Sequence, residues 1–218
     1  MTLRGYYDER IEQIRSEIVR MGDVASGMIE LAVEAVVTGN IARADEVINR
    51  DDQVDFLEEE IIRNTVLLVM QEAPVAGDLR MLTATLGVIG EIEKVADDAV
   101  KLARRAVRLE GQFPGELRSA LHEMGIAARK SLAAAIRLYT KYEPELAHEV
   151  IDGDELIDTR YAVACHRITE LIQEDSSQTE RLLGTMEIFH ALEHIADRSV
   201  AIAKRMRVHY EVGPRSGN

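Results

Sequence analysis

The feature that most limits the fold of this chain is an internal duplication. Residues 46–55 read EVINRDDQVD, and residues 149–158 read EVIDGDELID, 103 positions later. Met21-Gly22 recurs as Met124-Gly125 at the same spacing. Further on, Leu82, Leu86, Ile89, Ile92, Val95, Ala96 and Val100 match Leu182, Met186, Phe189, Leu192, Ile195, Ala196 and Val200 at a spacing of 100. The change of spacing falls in the loop before the third helix, where insertions and deletions cost least. Two copies of one unit must fold alike, and the apolar period within each copy is helical. Prolines at 74, 114 and 144, the stop-and-cap sequence TGN at 38–40 and a capping box at Ser177-x-x-Glu180 divide the chain. They predict an all-α chain of six long helices over 4–38, 41–72, 78–110, 115–141, 144–174 and 178–210. The organisation expected is a first three-helix repeat at 1–112, a second at 113–212 and a flexible tail at 213–218.

Composition narrows what such a chain can do. With 46% hydrophobic residues, 4% aromatic and no Trp, the core must be aliphatic. A net charge of −13 excludes a general nucleic-acid binder, which needs a cationic face. The single cysteine, Cys165, excludes an internal disulfide, suits a reducing compartment and is expected in the core. The first fifteen residues are charged throughout, and no apolar run approaches the ~20 residues that span a bilayer. A cytoplasmic protein without membrane insertion is expected.

Against this background the acids of the apolar stripes stand out. On the third helix, Leu82, Leu86, Ile89, Glu93, Ala96 and Val100 make one stripe, and Glu93 fills a slot that the period assigns to an apolar side chain. Glu193 does the same in the sixth helix, and Asp97 and Asp197 follow one turn later. The second helix places Asp51 and Glu58 in the stripe with Asp55 beyond, and the fifth places Asp154, with Asp158 beyond. Counted from the connecting loop, Asp51–Asp55 and Glu93–Asp97 lie ~28 and ~26 Å along their helices. In antiparallel neighbours these pairs are level, and the second copy repeats the register. Four carboxylates converge per copy, and they require protons, Lys or Arg partners, or cations. Hard divalent or trivalent ions suit such oxygen donors. The plainer alternative is that the acids reach solvent at the bundle rim and pair with Lys94, Lys101 or Arg198.

Other motifs carry less. HALEH at 190–194 fits the H-x-x-E-H of inverzincin proteases, but the first copy reads GEIEK and lacks both histidines. His190 and His194 are therefore read as a helix-face pair auxiliary to the second cluster. Glu145-x-x-His148 and Glu187-x-x-His190 suggest a ferritin-like di-iron site, but their levels differ by ~30 Å. The basic residues that close long helices, Arg104, Arg105 and Arg108 or Lys204, Arg205 and Arg207, complement the helix dipole, with a docking patch as the alternative reading. No nucleophile–base pair or phosphate-cradling loop stands out, so no catalytic residue is assigned and the chain is not expected to be an enzyme. A carboxylate-bridged metalloenzyme and a purely structural scaffold are the rival classes.

PVAGDLRML at 74–82, EIEKVADDAVKLA at 91–103 and ALEHIADRSVAIA at 191–203 resemble segments of the PhoU family of phosphate-uptake regulators, and the likeness covers nearly the whole chain. That resemblance implies two antiparallel three-helix bundles about a pseudo-twofold. It also implies metal clusters on paired E(D)xxxD motifs, often multinuclear iron, with zinc, manganese and magnesium compatible. The ligands implied are Asp51, Asp55, Glu93 and Asp97 in one copy, and Asp154, Asp158, Glu193 and Asp197 in the other. The implied role is restraint of phosphate uptake and of the starvation response, by coupling the phosphate ABC transporter to a sensor histidine kinase; a homodimer is expected. Two departures stand out. Asp98 and Arg198 follow the motif aspartates where relatives often place His or Asn, and the second copy lacks the P-x-A-x-D-L-R segment. Arg198 is expected to compete with a cation at the second cluster, making the first copy the tighter metal site.

Overall fold

The computed structural model describes residues 3–72, 74 and 76–211. The expected tail at 213–218 lies outside them. The helices are α1 (Leu3–Thr38), α2 (Ile41–Glu72), α3 (Ala76–Leu109), α4 (Arg118–Thr140), α5 (Pro144–Asp152), α6 (Asp154–Glu174) and α7 (Thr179–Glu211). Short 3₁₀ turns at Gly115–Leu117 and Ser176–Gln178 lead into α4 and α7. The architecture is all-α, two three-helix bundles about a pseudo-twofold, with α5 and α6 together making the fifth long rod. No helix among the described residues is long and apolar enough to cross a membrane.

The turn chemistry is local where it was expected, with two exceptions. Asn40 caps α2, its Oδ1 accepting from the N–H groups of Ala42 (3.1 Å) and Arg43 (3.4 Å). The start of α7 is capped differently from the Ser177 box. Asp175 accepts from Ser177 N–H at 3.0 Å and closes the 3₁₀ turn, so the α-helix begins only at Thr179. The rod expected unbroken over 144–174 is interrupted at Gly153, between Asp152 and Asp154. Glycine weakens the helix interior and the flanking aspartates favour local turns, so a bond from Leu156 N–H to Gly153 C=O (3.3 Å) tightens this step. The equivalent residue of the first copy is Arg50, and α2 runs through it.

The bundles join through α3 against α7 and α1 against α4. The second contact repeats itself about the pseudo-twofold. A Cβ on Gly22 of α1 would overlap Ile136 of α4, while one on Gly125 of α4 would lie 2.8 Å from Val33 of α1. Gly22 and Gly125 are duplicate positions, as are Val33 and Ile136. Removing one side chain from each helix brings the two backbones close enough to bury a continuous aliphatic core. α3 lies at the centre of this core and is buried on more than one face, but the side that carries Leu86 faces outward, and Leu86, expected inside, is instead 39% exposed.

The Tyr139 and Thr85 hydroxyls lie 3.0 Å apart, and Thr85 also donates to Met81 C=O at 2.9 Å. Tyr139→Phe removes one bond and leaves Thr85 satisfied, so it should lower stability by about 0.5–1.5 kcal/mol, as read by urea denaturation.

Candidate functional site

The acids selected from the sequence occupy the seam between α2 and α3 and its duplicate between α6 and α7. Glu93 and Asp51 are half-buried, whereas Asp55 and Asp97 are exposed. They therefore line the outer edge of the seam and do not enter the apolar core. The predicted level register is nonetheless present. Partial burial pushes the Asp51 carboxyl up, and the charges of Asp55 and Asp97 add to it, against a smaller opposing effect from Arg104. Burial also raises Glu93, reinforced by Asp97, Glu58 and Asp55, against a smaller opposing effect from Lys94. Glu58 itself is raised by burial, then by Asp55, Glu59 and Asp97. The first cluster thus joins all four chosen acids and adds Glu58, which was visible in the sequence as a stripe position but was not chosen.

The duplicate repeats the pattern with fewer charges. Burial raises Asp154, with Asp197 and Asp158 adding and Lys204 opposing. Burial and the charges of Asp197, Asp158 and Asp154 raise Glu193, while His190 opposes. Lys204 occupies the position equivalent to Arg104, so each copy sets one exposed cation at the same end of its cluster. The counterpart of Glu58 is Tyr161, whose hydroxyl is pushed up to about 12 by burial and by its hydrogen bond with Cys165. Cys165 is half-buried at this seam, not in the core, because position 165 faces α7 at the edge of the contact.

The cations expected to neutralise these acids form their direct ion pairs elsewhere. Lys94 pairs with Glu91 (3.4 Å), Lys101 with Asp98 (2.7 Å) and Arg198 with Glu91 (3.7 Å). Glu91 and Asp98 are buried on the opposite side of α3, against α7. Arg198 therefore crosses between the copies instead of competing at the second cluster. Among the described residues, none of the eight chosen carboxylates has a Lys or Arg within salt-bridge distance; Glu193 has only His194, at 3.9 Å. The buried oxygens Asp154 Oδ1 and Glu193 Oε2 have no hydrogen-bond partner. The acids do not close into a set with donor atoms all within 4.8 Å; His190, Glu193 and His194 do.

Repulsion of this kind has a measurable sign. A carboxylate whose folded pKa is raised binds more protons when folded than when unfolded, in the interval between the two values. Stability of the metal-free protein should therefore rise as pH falls from 7 toward 5. His209 acts the other way, because burial and Arg80 resist its protonation. Glu143 and Asp175, held low by hydrogen bonds, begin to cost stability below about pH 5, which is why the comparison with the variant is needed. Melting curves of the wild type and of the double variant Glu93→Gln/Glu193→Gln, at pH 7 and 5 with chelator, isolate the acids. The variant should lose part of the gain on acidification.

The sequence profile described as the PhoU domain matches residues 18–106 and 121–206. The chain is 27% identical over 200 residues to the phosphate-specific transport system accessory protein PhoU homolog of Pseudomonas aeruginosa, covering 91% of this chain and 82% of that one. The Clostridium acetobutylicum protein of the same description is 26% identical over 202 residues, covering 92% of each. The crystal structure of PhoU from Pseudomonas aeruginosa superposes with a TM-score of 0.90 at 24% identity, over 94% of this chain and 99% of that one. The phosphate transport system regulatory protein PhoU from Streptococcus pneumoniae gives 0.86 at 20% identity, over 97% and 100%. With one profile match on each three-helix copy, the chain belongs to the PhoU domain family.

Proposed function

We propose that this protein is a regulatory adaptor of phosphate homeostasis, restraining phosphate uptake and the starvation response by linking a phosphate ABC transporter to a sensor histidine kinase. The observation that carries this reading is the family match on both copies, together with relatives described as accessory proteins of the phosphate-specific transport system. The reading places the protein in the cytoplasm, as a homodimer on the inner side of the transporter.

In the same reading the two acidic seams hold cations. Asp51, Asp55, Glu93 and Asp97, with Glu58, would bind in the first copy, and Asp154, Asp158, Glu193 and Asp197 in the second. The donor sets fit: all are hard oxygens, they repel one another, they lack Lys or Arg partners among the described residues, and two buried oxygens of the second set are unpaired. Bound iron, or another hard ion, would supply the neutralising charge. The half-buried acids fix the depth of each site, and the exposed aspartates keep it open to partner residues.

The adaptor reading is tested by capture of the transporter's nucleotide-binding subunit on the tagged full chain, and by deletion of the gene. Deletion should leave starvation genes switched on in phosphate-replete medium. Normal repression in the deletion strain, with no capture of the transporter subunit, would defeat it.

A further inference from the structure

The two seams are duplicates in their Asp/Glu pairs but not in their chemistry. In the first copy, the positions equivalent to His190 and His194 hold Gly90 and Lys94. A Cβ at Gly90 would meet nothing within 4 Å, so the position is open and carries no side-chain donor of its own. In the second copy both imidazoles are present on α7, with ring centroids 3.9 Å apart. The i, i+3, i+4 spacing puts His190, Glu193 and His194 on one helix face, and one donor atom from each lies within 4.8 Å of the others.

We propose that His190, Glu193 and His194 form a borderline-metal site for Zn²⁺, different in kind from the all-oxygen cluster of the first copy. Two imidazoles and one carboxylate with an open fourth position are a zinc donor set, whereas oxygen-only seams suit harder ions. Tetrahedral zinc needs donors roughly 3.3 Å apart, so rotations of side chains that are themselves only half-buried or exposed bring the set together. Glu193 Oε2 is buried, has no hydrogen-bond partner and lies 3.9 Å from His194 Nε2, so its place is that of a ligand.

The surroundings permit a cation. On the side away from Glu193, the two histidines line a cavity of about 270 Å³ with Asp98, Lys101, Arg105 and Glu187. Its two cations are already engaged, Lys101 with Asp98 and Arg105 with Glu187. From α6, Tyr161 lies against His190 with ring centroids 5.8 Å apart, and Asp158 adds negative charge at Glu193. The inference shares Glu193 with the acidic-seam reading and rests on it to that extent.

The test is a zinc titration of the demetallated full chain in competition with a chromophoric chelator, repeated with the variants His190→Gln/His194→Gln and Asp51→Asn/Glu93→Gln. The wild type should bind one Zn²⁺ through this site. Loss of both imidazoles should weaken it at least about 100-fold, while the first-copy variant stays within about twofold of wild type. Undiminished zinc affinity without the histidines, or no zinc binding by the wild type, overturns the proposal. A parallel Fe²⁺ titration of the same variants separates the two readings. Iron lost with Asp51 and Glu93 supports the acidic seam whatever zinc does. Zinc lost with the histidines, and neither Fe²⁺ nor Mn²⁺ or Mg²⁺ bound anywhere in parallel titrations, leaves this inference standing and the acidic-seam reading refuted.

Discussion

Gly39→Val should destabilise the protein by about 3–5 kcal/mol, combining the cost of a left-handed branched residue with overpacking. Gly39 has φ +69° in the α1–α2 turn, a conformation that an L residue adopts at about 1–2 kcal/mol. Its added Cβ would lie 2.8 Å from the Cα of Gly111, itself at φ +76° in the α3–α4 link. The neighbour is backbone and cannot swing aside. At roughly 2–4 °C per kcal/mol for a chain of this size, the melting temperature should fall by about 10 °C. Gly90→Ala is the control: it lies mid-helix in open space and should stabilise by about 0.5–1 kcal/mol through helix propensity alone. A Gly39→Val protein that melts with the wild type would show that the two turns do not meet as described.

The second large effect concerns the metal. Glu93→Gln should weaken hard-metal binding at the first seam by at least about tenfold, near 1.4 kcal/mol, and Glu193→Gln should act likewise at the second. The first seam should be the tighter of the two. The reason is not Arg198, which pairs with Glu91, but the fifth carboxylate, Glu58, which stands where the second copy has Tyr161. If the seams hold ions as proposed, chelation of the wild type should lower the melting temperature, since a ligand present at 100 times its Kd stabilises by about 2.7 kcal/mol. Elemental analysis and iron titration of both variants read the ranking. Equal affinity at the two seams, or a tighter second seam, would sink it, and an unchanged melt after confirmed demetallation would remove metal from the stability of the fold.

The acids were legible because helical periodicity is a statement about faces. Asp51, Asp55, Glu93 and Asp97 could be placed on one seam, and at one height, from loop position and rise per residue alone. Periodicity does not say how many faces a helix buries. α3 packs against α1, α2 and α7, so Glu91 and Asp98 lie on a buried face that a single apolar stripe does not reveal. The same gap hid the partner of Arg198, which belongs to the other copy. It also left Leu86 in the expected core, although its side of α3 faces outward.

What the sequence determined by itself was whatever is encoded within one helix or one repeat: the all-α class, the duplication, the Asn40 cap and the register of the acidic pairs. These follow from backbone geometry and nearest-neighbour chemistry. Contacts between the copies were decided only by tertiary structure. They include the reciprocal fit of Gly22 on Ile136 and Gly125 on Val33, the Glu91–Arg198 pair, and the diversion of Lys94 and Lys101 away from the seams. Each depends on the rotation of one rod against another, and that rotation is fixed by side chains meeting across a hundred residues of chain.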